Sequence, residues 1–200
     1  NFDDSSVYDN DGTCSNCPTL TNGPRGLAYE FDGVNDVIEL GDILDMGLEN
    51  MSISVWVKKD SVPTSTNYII SKAKAASQDH RYGVSIRTTG APGIFMQGNT
   101  PGSDFSLDGG INICDNNWHL LTFVFNRNEN ALIYVDGLYR AGKSISHWSS
   151  VDMQSNNPFR IGSYTASDNI TPSSFFNGSI DDVMVFNRTL SEGEIKSLYN

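Results

Sequence analysis

From Met51 to Val57 the side chains alternate. Ile53, Val55 and Val57 fall on one face and Trp56 with the serines on the other, the period of a half-buried strand. The same short-period pattern recurs along most of the chain, broken by turn residues. Leu27–Phe31 and Val37–Leu40 flank Asp32-Gly33-Val34-Asn35-Asp36, which reads as a hairpin with a Gly-containing loop. Tyr68–Lys72, Arg81–Thr88 and Gly93–Gly98 continue the pattern. Trp118–Phe125 is the longest run, with Leu121, Phe123 and Phe125 on one face. It is followed by a turn at Arg127–Asn130, a strand over Ala131–Val135 and the two-residue hairpin turn Asp136-Gly137. Leu138–Gly142 and Phe159–Gly162 complete the middle of the chain, and long polar loops carry Phe105, Trp148 and Tyr164.

Near the end, Asn177-Gly178 leads into a strand of Ile180, Val183, Val185 and Phe186. Ser191-x-x-Glu194 is a capping box that opens a helix, and Ile195, Leu198 and Tyr199 share one face of it, so the helix is expected to be a lid on a sheet. A dozen or so short strands and one terminal helix predict an all-β fold: a two-sheet antiparallel β-sandwich with one short C-terminal helix. At 200 residues the chain suits a single domain spanning 1–200. The acidic pair Asp181-Asp182 stands inside that last, otherwise apolar strand. A buried carboxylate needs a donor or a cation, so Asp181 is the first place to expect an ion.

The formal charge of −11 excludes a nucleic-acid or anionic-membrane partner, because no basic patch exists to displace counterions. No apolar run approaches the ~20 residues of a membrane span, so no membrane insertion is expected. Cys14 and Cys17 lie among Asn, Asp, Gly and Pro without the strand-to-helix pattern of a redox site. They form either a small disulfide loop in an extracytoplasmic protein, the favoured reading, or two free thiols. Cys114, beside Ile113, is expected to be a small buried hydrophobe. Asp3–Thr13 is a loop whose oxygen-bearing side chains suit either a hard cation or metal-free Asx turns.

Four blocks in order carry a family likeness. They are Asp4-Ser-Ser with Asn10-Asp11-Gly12-Thr13; Phe31-Asp-Gly-Val-Asn-Asp36; Asn117-Trp118-His119 with Ile133-Tyr-Val-Asp-Gly137; and Gly178-Ser-Ile-Asp-Asp-Val183 with Leu190-Ser191 and Glu194-Ile195. Together they span essentially the whole chain, which resembles the laminin-G-like, concanavalin A-like jelly-roll superfamily in its prokaryotic surface-protein branch. The resemblance implies a structural Ca²⁺ where the N-terminal loop meets the last strand, with Asp4, Asn10 and Asp181 at positions often used for it. The family has Gly where Asp9 stands, so Asp9 is expected to add a carbonyl or a carboxylate to that site.

The same superfamily includes glucanases built on a Glu-x-Asp-x-(x)-Glu strand, whose paired carboxylates stand about 5–5.5 Å apart in retaining enzymes. Glu30-Phe31-Asp32 lacks the third carboxylate, and no nucleophile elbow accompanies His80, His119 or His147. A non-catalytic module is therefore expected. Carbohydrate binding needs aromatic faces and hydroxyl-bonding groups. Trp148 and Tyr164 in the loops, with Arg81, Gln97 and Asn99 on or near strands, are the residues assigned to it, whereas Trp56 and Trp118 are expected to pack. Two roles follow by analogy with the family: a polysaccharide- or glycan-binding adhesion module of an extracellular or cell-surface protein, or a structural module meeting other surface-protein domains.

Overall fold

A computed structural model of the chain describes residues 2–73, 80–98, 104–165 and 171–200. The first strands are β1 (Thr19–Gly23), β2 (Gly26–Asp32), β3 (Ile38–Glu39), β4 (Met51–Lys58) and β5 (Asn67–Lys72). Next come β6 (Arg81–Ile86), β7 (Pro92–Gln97), β8 (Asp104–Asp108), β9 (Trp118–Phe125), β10 (Asn130–Val135) and β11 (Leu138–Ser144). The chain closes with β12 (Phe159–Ile161), β13 (Tyr164–Thr165), β14 (Pro172–Ser173), β15 (Asn177–Phe186) and the helix α1 (Glu192–Tyr199). Seven strands form an antiparallel sheet in the order β1-β2-β15-β4-β9-β10-β11, six form a second in the order β3-β12-β5-β6-β7-β8, and β13 with β14 makes a small ribbon. This is the expected β-sandwich with one C-terminal helix.

The alternation read from β4 and β9 sets the interior. Ile53 faces Phe123 and Val55 faces Leu121 across the pair. These side chains join Ile70, Tyr82, Val84, Ile94 and Met96 of the second sheet in one core between the layers. The serine face of β4 is buried as well, because the 188–190 connection and the end of α1 lie over it. Ser54 Oγ meets Thr122 Oγ1 at 3.2 Å, and Ser52 Oγ donates to the Arg188 carbonyl at 2.8 Å while accepting from the Leu190 amide at 3.0 Å. Ile195 packs with Val124, Tyr134 and Leu190, and Tyr199 stacks on Trp56 with ring centroids 5.8 Å apart. The capping box forms as expected: the Ser191 side chain accepts from the Glu194 amide, and the Glu194 carboxylate accepts from the Ser191 amide at 2.8 Å. Arg188, 2.7 Å from Glu194, holds that carboxyl at about 2, below the ordinary range.

Two aromatics assigned to polar loops lie elsewhere. Phe105 belongs to β8 and is 3% exposed. Trp148 ends a 3-10 turn, Ser146–Trp148, and at 1% exposure is part of the main core. The turn is drawn inward by Arg127, itself 1% exposed, whose guanidinium donates to the carbonyls of Trp148, Val151 and Gly47. Cys114 is half-buried, with its thiol directed at the Gly90 carbonyl, 3.7 Å away.

Candidate functional site

The outer face of the six-stranded sheet is built in cross-strand rows. Arg81, Gln97 and Asp104 are register partners in one row; Gly83, Phe95 and Ser106 form the next; Ser85, Gly93 and Asp108 the third. Tyr68, opposite Ser85, joins this face because a bulge between Tyr68 and Ile70 turns both Ile69 and Ile70 inward. Two glycines let side chains lie flat on the strands. A Cβ at Gly83 would stand 2.5 Å from the Phe95 ring, and one at Gly93 would stand 2.2 Å from Arg87 Nε.

Three half-exposed rings gather here. Tyr68 stacks on Tyr164 with centroids 4.5 Å apart, and Phe95 meets Tyr68 and Tyr164 edge-on at 5.3 and 5.8 Å. Arg81 Nη1 donates to the Tyr164 hydroxyl at 2.9 Å. Arg87 Nη2 is anchored to the Ile94 carbonyl at 3.1 Å and the Ser106 hydroxyl at 2.5 Å. Burial raises both tyrosine phenols above their ordinary value, the two arginines opposing it at Tyr68 and Arg81 opposing it at Tyr164. At neutral pH both phenols therefore remain protonated, each able to donate and accept a hydrogen bond.

Three of the residues assigned from sequence, Arg81, Gln97 and Tyr164, thus share one face. Trp148 does not. Its ring is inside the core and has no face to offer a ligand, which corrects its assignment. Asn99 lies outside the described residues. Tyr68 and Phe95 were not foreseen, although Phe95 stands between inward-facing Ile94 and Met96 and must therefore point out.

Of the four residues assigned to calcium, Asp4 and Asn10 meet within the N-terminal loop. Among the described residues no group of three or more His, Cys, Asp or Glu side chains is placed to hold a metal ion. Asp4 is engaged within its own loop: one oxygen accepts from the Ser6 amide at 2.8 Å, the other from the Ser6 hydroxyl at 2.7 Å and the Asn10 amide at 3.0 Å. These donors lower its carboxyl below the ordinary value. Asp9 has φ +58°, the left-handed region, which suits the glycine expected there. Asp181 lies at a bulge of β15 against the β1–β2 turn, where a Cβ at Gly23 would stand 2.2 Å from its Oδ2. Its Oδ1 accepts from the Asp182 amide at 2.8 Å, and its buried Oδ2 has no hydrogen-bond partner. Burial raises this carboxyl above the ordinary value; the Asp182 amide opposes it, and the Arg25 amide approaches it without completing a hydrogen bond of good geometry. The residues described do not fit one ion shared by Asp4, Asp9, Asn10 and Asp181; the Oδ2 of Asp181, buried without a hydrogen bond, is a feature that suits a cation. Cys14 and Cys17 are joined in a disulfide.

Several solved structures share this architecture. The binding domain of Paraclostridial Mosquitocidal Protein 1 superposes with a TM-score of 0.75 at 15% identity, over 99% of this chain and 49% of that one. The botulinum neurotoxin serotype D binding domain gives 0.70 at 18%, over 98% and 47%. Domain 4 of AbnA, an extracellular GH43 arabinanase from Geobacillus stearothermophilus solved with arabinotriose, gives 0.72 at 20%, over 100% and 93%. The chain thus spans about half the length of the toxin domains and nearly all of the arabinanase domain, and at these identities the likeness is one of fold. No match was found among curated proteins. The laminin G-type family model described as the concanavalin A-like lectin/glucanases superfamily matches residues 32–196, and the chain belongs to that superfamily.

Proposed function

We propose that the chain is a non-catalytic carbohydrate-binding module of a larger secreted or cell-surface protein, and that it holds its glycan on the outer face of the six-stranded sheet. The observation that carries this reading is the half-exposed trio Tyr68, Phe95 and Tyr164 set beside Arg81 and Gln97. Aromatic faces pack against the C–H face of a sugar ring, while a guanidinium, an amide and two phenols supply bonds to hydroxyls. The arabinanase domain solved with arabinotriose makes arabino-oligosaccharides the first probe. The Cys14–Cys17 disulfide supports an extracytoplasmic setting, and no helix among the described residues is long and apolar enough to cross a membrane. The test is a glycan array followed by titration calorimetry. Tyr164→Ala is expected to weaken binding at least about tenfold, the loss of one stacking ring, while the fold is retained. Unchanged affinity in Tyr164→Ala and Arg81→Ala would remove this face from the reading.

Calcium enters as a stabilising ion and not as part of recognition; the partnerless Oδ2 of Asp181 supports it. Melting of the wild type and Asp181→Asn in calcium and in EDTA separates the possibilities. A carboxyl raised in the folded state contributes stability at acid pH that is lost as pH rises through its ordinary and then its folded value. Without metal at neutral pH, Asp181→Asn is therefore expected to melt above the wild type. With calcium the order reverses, because only the wild type gains. Identical melting of the wild type in calcium and EDTA would end the calcium reading.

A second reading, docking to another protein domain, is favoured by one observation. Strand β11 is an edge of its sheet, with Leu138 and Tyr139 exposed on it. A folded protein silent on every glycan would shift the assignment to this edge.

A further inference from the structure

A second polar hollow of about 440 Å³ opens beside the aromatic face and is lined by Lys59, Ser61, Thr64, Asn67, Ser174 and Asn177, among others. Two chain junctions tie it to that face. Asn67 of the hollow precedes Tyr68, and Ser174 follows Ser173, the ribbon partner of Tyr164. In its wall stands a buried cation. Lys59 is 2% exposed, its ammonium donates to the Asn177 carbonyl at 2.7 Å and lies 5.6 Å from the Phe176 ring centroid.

An ammonium has three N–H donors, and one carbonyl occupies one of them. Among the described residues no carboxylate lies within ion-pair distance of Lys59; Asp60 and the Cys114 thiol act on it only from further away. The Asp60 carboxylate is engaged instead by the Ser61 hydroxyl at 2.9 Å. Burying a charge without a counter-ion is costly, and a costly group beside open space is where a ligand anion gains most. The remaining lining sets hydroxyls and amides beside Val62, Pro63 and Phe175, a mostly polar wall with apolar patches that suits a sugar ring better than an apolar guest.

We propose that this hollow is a second glycan subsite that takes an acidic sugar residue, its carboxylate on Lys59 Nζ and its ring hydroxyls on Ser61, Thr64 and Asn67. The proposal rests on the carbohydrate-binding reading above and adds the charge of the ligand. One acidic polysaccharide would then run from the Tyr164 face into the Lys59 hollow.

Calorimetry with oligogalacturonate and with the same oligosaccharide after carboxyl reduction tests it. The wild type is expected to prefer the acidic form, and Lys59→Gln to lose at least about tenfold in affinity for it, the usual worth of a charge-assisted hydrogen bond. Affinity of Lys59→Gln for the reduced form should fall far less, because a neutral hydroxyl gains little from the ammonium's charge. Should Lys59→Gln fail to fold, Thr64→Trp tests the same point, because Thr64 is exposed and the larger ring fills the hollow from outside the core. In ¹⁵N-labelled protein, galacturonate should shift the amides of 61–67 and 174–177. Oligogalacturonate bound equally by wild type and Thr64→Trp would overturn the proposal, as would a wild type that binds only the reduced form. Both of those outcomes leave the aromatic face intact as a glycan site. Binding of neither form, nor of any arrayed glycan, would overturn the proposal together with the carbohydrate reading.

Discussion

Replacing Trp148 with Ala will destabilise the protein by about 3–5 kcal/mol, the usual cost of emptying a buried aromatic site. The ring is 1% exposed and packed with the main core. For a chain of this size that corresponds to a fall in melting temperature of roughly 6–20 °C. Its indole N–H has no acceptor in the core, so Trp148→Phe removes an unsatisfied donor as well as volume and should cost much less than the Ala variant. Differential scanning calorimetry of the three proteins checks the order. A Trp148→Ala protein that melts within about 2 °C of the wild type would show that the ring is not holding the sandwich together. Glycan affinity, measured at a temperature where the variant is folded, should not move.

The second large effect is expected at Arg127. Its guanidinium serves the carbonyls of Gly47, Trp148 and Val151, and among the described residues no carboxylate lies within ion-pair distance of it, Asp152 acting only from further away. Burial lowers its pKa from the ordinary value, yet an arginine remains charged. Arg127→Met keeps much of the volume but removes a charged donor from three carbonyls, of which those of Trp148 and Gly47 keep the Val151 and Met153 amides at 2.9 Å, at a cost of about 3 kcal/mol. Because the same guanidinium seats the Trp148 backbone, the two substitutions act on one unit. The Arg127→Met, Trp148→Ala double variant should lose less than the sum of the single losses, and a denaturant-based double-mutant cycle reads that difference. Strict additivity would mean that the arginine and the 146–153 segment stabilise the fold independently.

These two residues also mark where the chain could be read and where it could not. Strands β4, β9 and β10, the Asp136-Gly137 turn and the capped helix all follow from local rules: a period of two, a two-residue hairpin and a Ser-x-x-Glu box. Trp148 sits among Ser, His and Asp, so its neighbours describe a surface loop. What buries it is a side chain twenty-one positions away, and no local pattern carries that information. The same holds for the serines of β4, whose face looks solvated until the 188–190 connection and the end of α1 are folded over it. At the candidate site Arg81, Gln97 and Tyr164 were legible as polar and aromatic positions at strand ends. Tyr68 was hidden by its bulge, since Tyr68-Ile69-Ile70 breaks the alternation that would have sorted it outward. The calcium assignment depended on bringing the N-terminal loop to β15, a long-range contact that the sequence implies only by family analogy.

The position of β15 has a consequence for how the protein comes into being. It lies between β2 and β4, in the middle of the seven-stranded sheet, and pairs residues near 180 with residues near 30 and near 55. Until β15 is made, β2 has only β1 beside it and β4 only β9, so the larger sheet is split in two. A chain that emerges at about 5–20 residues per second spends several seconds in that state. Such non-local pairing slows folding, and here it postpones closure of the sheet until the 177–186 segment has left the ribosome. In the secreted setting proposed above, late closure would be an advantage for export: the sandwich cannot lock before the segment that completes it has been made.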